Sequence, residues 1–240
     1  MRRSEQNKGR VAVVGFETGI VRILELSDSN IELAMVMKAA DGPIVFAKYA
    51  PDQMTLVTAS RNGEIFFFDI NGHLDLGKCK PICQIVLKDC VKVNDLKWDA
   101  KSENILVCTE SGHVHQIKRP DPAKLDVSDS YLIEDYPIRT WRMKMMEFQM
   151  KKNQKKDEEE EERKRRARLR GELKDDDDEE EEDWEPEAIT KVCYNEAAED
   201  PANSFIIGAT GQYKGFYYLC SFNSDRPLKA IPMDPTWRVE

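Results

Sequence analysis

"YAPDQMTLVTASRNGEIFFFDI", residues 49–70, reads as strand, tight turn, strand. Two runs rich in apolar and β-prone residues flank Arg61-Asn62-Gly63-Glu64, and Pro51-Asp52 stands ahead of the first run. β-Branched and aromatic side chains suit a pleated surface, whereas Asn-Gly suits a reversal. The stretch is therefore a β-hairpin, with a type I′ turn expected at Asn62-Gly63.

The pattern returns three times, as "RVAVVGFETGIVRILEL" (10–26), "ENILVCTESGHVHQI" (103–117) and "SFIIGATGQYKGFYYLCSF" (204–222). The turn glycines are Gly19, Gly63, Gly112 and Gly215, placed where a tight turn demands positive φ. Gly19 to Gly63 is 44 residues and Gly63 to Gly112 is 49. That is the period of a propeller blade, in which four short strands occupy about 40–50 residues. Residues 31–39, 42–52, 80–88 and 91–100 supply further strands between the hairpins, and 188–195 supplies an innermost strand for a fourth blade. Residues 227–233 would then begin the next outer strand. A β-sandwich competes, but it does not repeat its turn at this period.

The segment "DGPIVFAKYAPDQMTLVTASRNGEIFFFDI" (41–70) resembles a WD-repeat unit of a β-propeller. Tyr49-Ala50-Pro51-Asp52 stands where the family has an aromatic, a small residue, Pro and Asp, and Phe68-Asp69 takes the place of the Trp-Asp pair. In the other repeats Leu24-Glu25 and Gln116-Ile117 stand where the pair belongs. Asp41-Gly42 and Lys88-Asp89 lie near the position of the Gly-His dipeptide that opens many repeats. Trp98-Asp99 falls instead at the end of an inner strand. The resemblance covers residues 10–119 and 188–233. It implies an all-β chain, a partial WD-type propeller of about three to four blades. The first unit starts in mid-blade, so the 240 residues are expected to belong to a larger protein or a short isoform.

Between the third and fourth hairpins the composition changes. Residues 1–135 are assigned to about three repeats, 136–187 to a charged helical insertion with an acidic tract, and 188–240 to a further, incomplete blade. A possible strand remains at Tyr131–Ile133. Glycine and proline are missing from 138 to 170, and strong helix formers dominate. Glu159 with Arg163, Glu161 with Arg165 and Glu162 with Arg166 stand four apart, acid first, the favourable order for helical ion pairs. A helix over 140–174 would be roughly 50 Å long at 1.5 Å per residue. Trp141, Met145 and Phe148 would form its apolar stripe. The acidic block "DDDDEEEED" (175–183) repels itself and is expected to stay disordered.

Trp141, Met145, Phe148, Arg163, Arg165 and Arg166 are the candidate partner contacts of this insertion. "RKRRARLR" (163–170) also fits a nuclear localisation cluster, although a solvated ion-paired helix explains the same residues. The methionines near 143–150 fit a calmodulin-target helix only weakly.

A formal charge of −9 argues against general nucleic-acid binding and against an anionic membrane surface. No window approaches the roughly 20 apolar residues of a bilayer span. Cys79, Cys83, Cys90, Cys108, Cys193 and Cys220 are scattered without a Cys-x-x-Cys pair, so they read as reduced thiols. His113 and His115 fall on one face of a strand and could share a metal, yet no third ligand accompanies them. "GATGQYKGF" (208–216) lacks the Ser or Thr and the helix that a phosphate loop needs. No catalytic residues, cofactor or metal are expected.

Degenerate repeats interrupted by a Lys-, Arg- and Glu-rich helix resemble the axonemal cilia- and flagella-associated WD-repeat proteins that tether inner dynein arms. That resemblance implies a non-catalytic scaffold of the ciliary or flagellar axoneme, required for motility, with tubulin, dynein-arm and related WD-repeat subunits as partners. The alternative is a nuclear or cytosolic WD-repeat adaptor holding basic partners through its acidic tract.

Overall fold

The computed structural model describes residues 10–27, 29–70, 80–88, 90, 92–125, 131–142, 188–210 and 215–233. They form four antiparallel sheets in chain order, each a meander of consecutive strands. The first sheet holds β1 (Arg10–Gly15), β2 (Ile20–Leu26) and β3 (Ile31–Lys38). The second holds β4 (Ile44–Tyr49), β5 (Thr55–Ser60), β6 (Glu64–Asp69) and β7 (Lys80–Val86). The third holds β8 (Val93–Trp98), β9 (Asn104–Thr109), β10 (His113–Lys118) and β11 (Ile138–Arg142). The fourth holds β12 (Ile189–Tyr194), β13 (Ser204–Ala209), β14 (Phe216–Ser221) and β15 (Lys229–Pro232).

The sheets stack face to face as propeller blades. One apolar layer joins the first and second blades through Val21, Ile23, Leu56, Phe66 and Phe68. A second joins the second and third through Val57, Ile65, Phe67, Ile85, Leu96 and Ile105. A third joins the third and fourth through Leu106, Val114, Trp141, Val192, Phe205 and Ile207. A middle strand thus has a neighbouring blade on both faces, and all six residues of β5 are buried. This is why "TLVTAS" shows no polar alternation: neither of its faces meets water.

Gly19, Gly63, Gly112 and Gly215 have φ of +78°, +88°, +74° and +92°. Gly63 N–H bonds the Ser60 carbonyl at 3.3 Å, with parallel bonds from Gly19 to Phe16 and from Gly112 to Thr109. Asn62 has no positive φ, so the turn is not type I′. It is a three-residue connection in which only the closing glycine is left-handed. Three residues give the strands enough slack that Asn62 stays in the ordinary region.

Strand pairing decides four segments. Residues 138–142 are a strand, not the start of a helix over 140–174, because β11 pairs along β10 from Ile117↔Ile138 to His113↔Arg142. The rest of that expected helix, with the acidic tract, lies outside the described residues. The outer strand expected at 227–233 is β15, which pairs with β14 and gives the last blade four strands. Tyr131–Ile133 is no full strand: among the described residues it forms an isolated parallel bridge between Leu132 and Gln84. The hairpin containing Gly19 is equivalent to that containing Gly63, so β1 matches β5. The first sheet therefore has no counterpart of β4 among the described residues.

Candidate interaction groove between the second and third blades

Between β10 and β11, the described residues 119–125 and 131–137 lie at the boundary between the second and third blades. Asp121 opens a single 3-10 turn, its carboxylate accepting from Ala123 N–H at 3.1 Å. Further along, Gln84 N–H donates to the Tyr131 carbonyl at 2.6 Å, and Ile133 N–H returns a bond to the Gln84 carbonyl at 2.9 Å. The Tyr131 ring stands edge-on to Phe66 at 5.8 Å. Tyr136 then ties this strap back to its own blade, its hydroxyl donating to the Lys118 carbonyl at 2.9 Å. Burial beside Cys83 pushes the Tyr136 phenol up to about 12, so it stays a donor throughout the physiological range.

This strap leaves a groove of about 400 Å³ between the outer strand of the second blade and the outer strands of the third. Ile85 and Leu87 line it on one side, Tyr136 and Ile138 on the other. Glu134, Asp135, Lys88, His113, His115 and Thr140 bring polar groups to it. The volume suits a few side chains of an extended segment.

The two histidines stack at 5.8 Å. His115 Nδ1 lies 3.0 Å from Thr140 Oγ1, and His113 Nδ1 lies 3.1 Å from Ser111 Oγ. Burial, with His113 beside it, holds the His115 imidazole down to about 4, so it is neutral near pH 7. Among the described residues no group of three or more His, Cys, Asp or Glu side chains is placed to hold a metal. The pair is packing and hydrogen bonding within the wall of the groove.

Polar clamps fix the blades that form these walls. The Arg119 guanidinium pairs with the Asp52 carboxylate, and Asp52 N–H donates to Ser102 Oγ at 2.9 Å. Asp99 binds Glu103 N–H and Asn104 Nδ2, each at 2.8 Å, so Trp98-Asp99 closes the turn from β8 to β9. At the opposite rim Glu64 accepts from Asp41 N–H at 2.8 Å, Gly42 N–H at 3.1 Å and Ser60 Oγ at 2.8 Å. One carboxylate thereby pins the connection from β3 to β4 onto the hairpin of the second blade. Its partners Asp41 and Gly42 stand near the place of the Gly-His dipeptide in the resemblance, and the hydrogen bonds alone reveal the clamp.

Phe68 is fully buried and stacks on Phe66 at 4.7 Å, while Asp69 ends β6. Trp141 is 4% exposed inside the layer between the third and fourth blades. It is therefore not a surface contact: strand pairing turns it inward, whereas a helix would have carried it on an outer stripe. Met145, Phe148, Arg163, Arg165 and Arg166 lie outside the described residues. The groove walls come from residues 85–88, 113–115 and 134–140, which no local motif connects.

No family model matches the chain, and no curated protein matches its sequence. Solved structures do. A chain of a mitotic checkpoint complex aligns with TM-score 0.51 and 11% identity over 92% of this chain and 49% of its own. Sqt1 from Chaetomium thermophilum aligns with TM-score 0.54 and 10% identity over 92% and 42%. Raptor from the same organism aligns with TM-score 0.50 and 13% identity over 95% and 16%. The chain thus spans half or less of each. These likenesses support the WD-repeat β-propeller fold, and at such identities they speak to the fold alone.

Proposed function

We propose that this protein is a non-catalytic scaffold of the ciliary or flagellar axoneme, one that tethers dynein arms to doublet microtubules. The observation that supports a scaffold is the groove between the second and third blades. Rigid strands wall it, clamps fix it, and both apolar and charged groups line it, as a protein contact requires. The axonemal setting rests on the resemblance of degenerate repeats broken by a charged insertion, with tubulin, dynein-arm and related WD-repeat subunits as the proposed partners.

The test is the position of a tagged copy in a multiciliated cell. Axonemal signal, with weakened beating when the protein is depleted, is the expected result. Nuclear signal that vanishes when residues 163–170 are neutralised would replace the proposal with the adaptor reading.

A further inference from the structure

We infer that the groove accepts an extended segment of a partner protein, which adds to the outer edge of β7 and sets a basic side chain against Glu134 and Asp135. The inference deepens the scaffold reading and rests on it.

The backbone carries the first half of the argument. β7 pairs with β6 on one side, in the register Phe66↔Gln84, Ile65↔Ile85 and Glu64↔Val86. Gln84 turns its N–H and carbonyl the other way, toward Tyr131 and Ile133. In a strand, residues two apart direct their polar groups to the same side, so Val86 also faces outward. Leu87 N–H bonds the Gly63 carbonyl at 2.9 Å, which fixes the alternation independently. The described part of the strap pairs with β7 at Gln84, and neither polar backbone group of Val86 bonds to a described residue. Val86 is 42% exposed and borders the groove. It is an open strand edge beside a cavity, the arrangement used for strand addition.

The side chains carry the second half. Ile85 and Leu87 are buried in the groove floor, facing Tyr136 and Ile138, so an apolar residue of an added segment has a pocket. Glu134 and Asp135 are exposed at the rim, and neither forms an ion pair with a described residue. Among the described residues that line the groove, Lys88 is the one full cation, against these two carboxylates. The surplus is negative, which selects a basic side chain in the partner. Pro81 within β7 shows that this outer strand tolerates a missing N–H.

A phage-displayed library of random twelve-residue peptides, selected on the full chain, is the probe. Enriched peptides should combine a β-branched or aromatic residue with Lys or Arg. Their binding should weaken about tenfold in Glu134→Gln/Asp135→Asn, the scale of a lost charge-assisted contact. It should weaken again in Val86→Pro, which removes the outward N–H while leaving the N–H groups bonded to β6 in place, and it should fall with added salt. The carboxylate variant keeps the test informative if the proline variant does not fold. Enriched peptides whose affinity ignores both variants would overturn the groove assignment. Absence of any enriched peptide, in a protein that still reaches the axoneme, would overturn it while leaving the scaffold intact. Light scattering showing a dimer that Val86→Pro dissolves would mean that a second copy fills the edge, and a distinct partner would be ruled out.

Discussion

Trp141 Nε1 donates to the Ser224 carbonyl at 2.7 Å, joining the last strand of the third blade to the loop before β15. Its ring also meets Phe205 edge-on at 5.4 Å. Apolar packing and a directed bond thus coincide in one side chain. Trp141→Ala should cost about 3–5 kcal/mol in a chemical melt, the range for emptying a large aromatic site. Trp141→Phe keeps most of the packing but orphans the Ser224 carbonyl, so about 1–2 kcal/mol is expected. A parent-like midpoint for the alanine variant would contradict this interlock.

Gly19 and Gly215 share positive φ but not their surroundings. A Cβ at Gly19 would lie 1.8 Å from the Ala40 carbonyl oxygen, whereas one at Gly215 would meet nothing within 4 Å. Gly215→Ala should therefore cost only the conformational penalty, about 1–2 kcal/mol. Gly19→Ala must also move the connection that follows β3, and a loss of about 3 kcal/mol or more is expected. Thermal melts of the two variants give the order.

The Glu64 carboxylate carries three hydrogen bonds, two from backbone N–H groups of another blade's connection. Glu64→Gln has a single acceptor oxygen for them. A loss of about 1–3 kcal/mol is expected. Hydrogen exchange should quicken at Asp41 and Gly42 while the buried strand Thr55–Ser60 keeps its protection.

His115 gives a pH dependence whose direction follows from burial. Folded, its imidazole titrates near 4 instead of 6.5, so between those values only the unfolded chain takes the proton. Stability contributed by the neutral ring is complete above pH 6.5 and falls as pH drops toward 4. Between pH 6.5 and 5 the loss should be about 2 kcal/mol, at 1.36 kcal/mol per unit. His115→Gln should flatten that part of the profile, measured by melts at constant ionic strength.

The blade plan was legible because its signal is local and periodic. Each hairpin needs a glycine at one place, and over the first three hairpins the place returns after 44 and then 49 residues. β11 was not legible. "IRTWR" stands beside a long run of helix formers, and its strand state comes from pairing with His113–Ile117, more than 20 residues upstream. Asn62-Gly63 suggested a two-residue turn, but the count of connecting residues decided its geometry. The groove was hidden for a related reason: Val86 gains meaning only when the strap reveals which way Gln84 points. The Glu64 clamp was equally silent, since its partners lie 22 and 23 residues away and one glutamate among many carries no pattern.

Each apolar layer draws on two successive blades, and that has a consequence for birth on the ribosome. Val21 and Ile23 have no finished layer to join until Phe68 has emerged, 47 residues after Val21. At roughly 5–20 residues per second, the delay is about 2–10 s. Trp141 waits longer, because Phe205 follows it by 64 residues, among them the whole charged stretch. For roughly 3–13 s of synthesis, one apolar face of the third blade, with Leu106, Val114 and Trp141, is left uncovered by the fourth. The acidic and basic residues of the charged stretch are therefore all synthesised before Phe205 can cover that face.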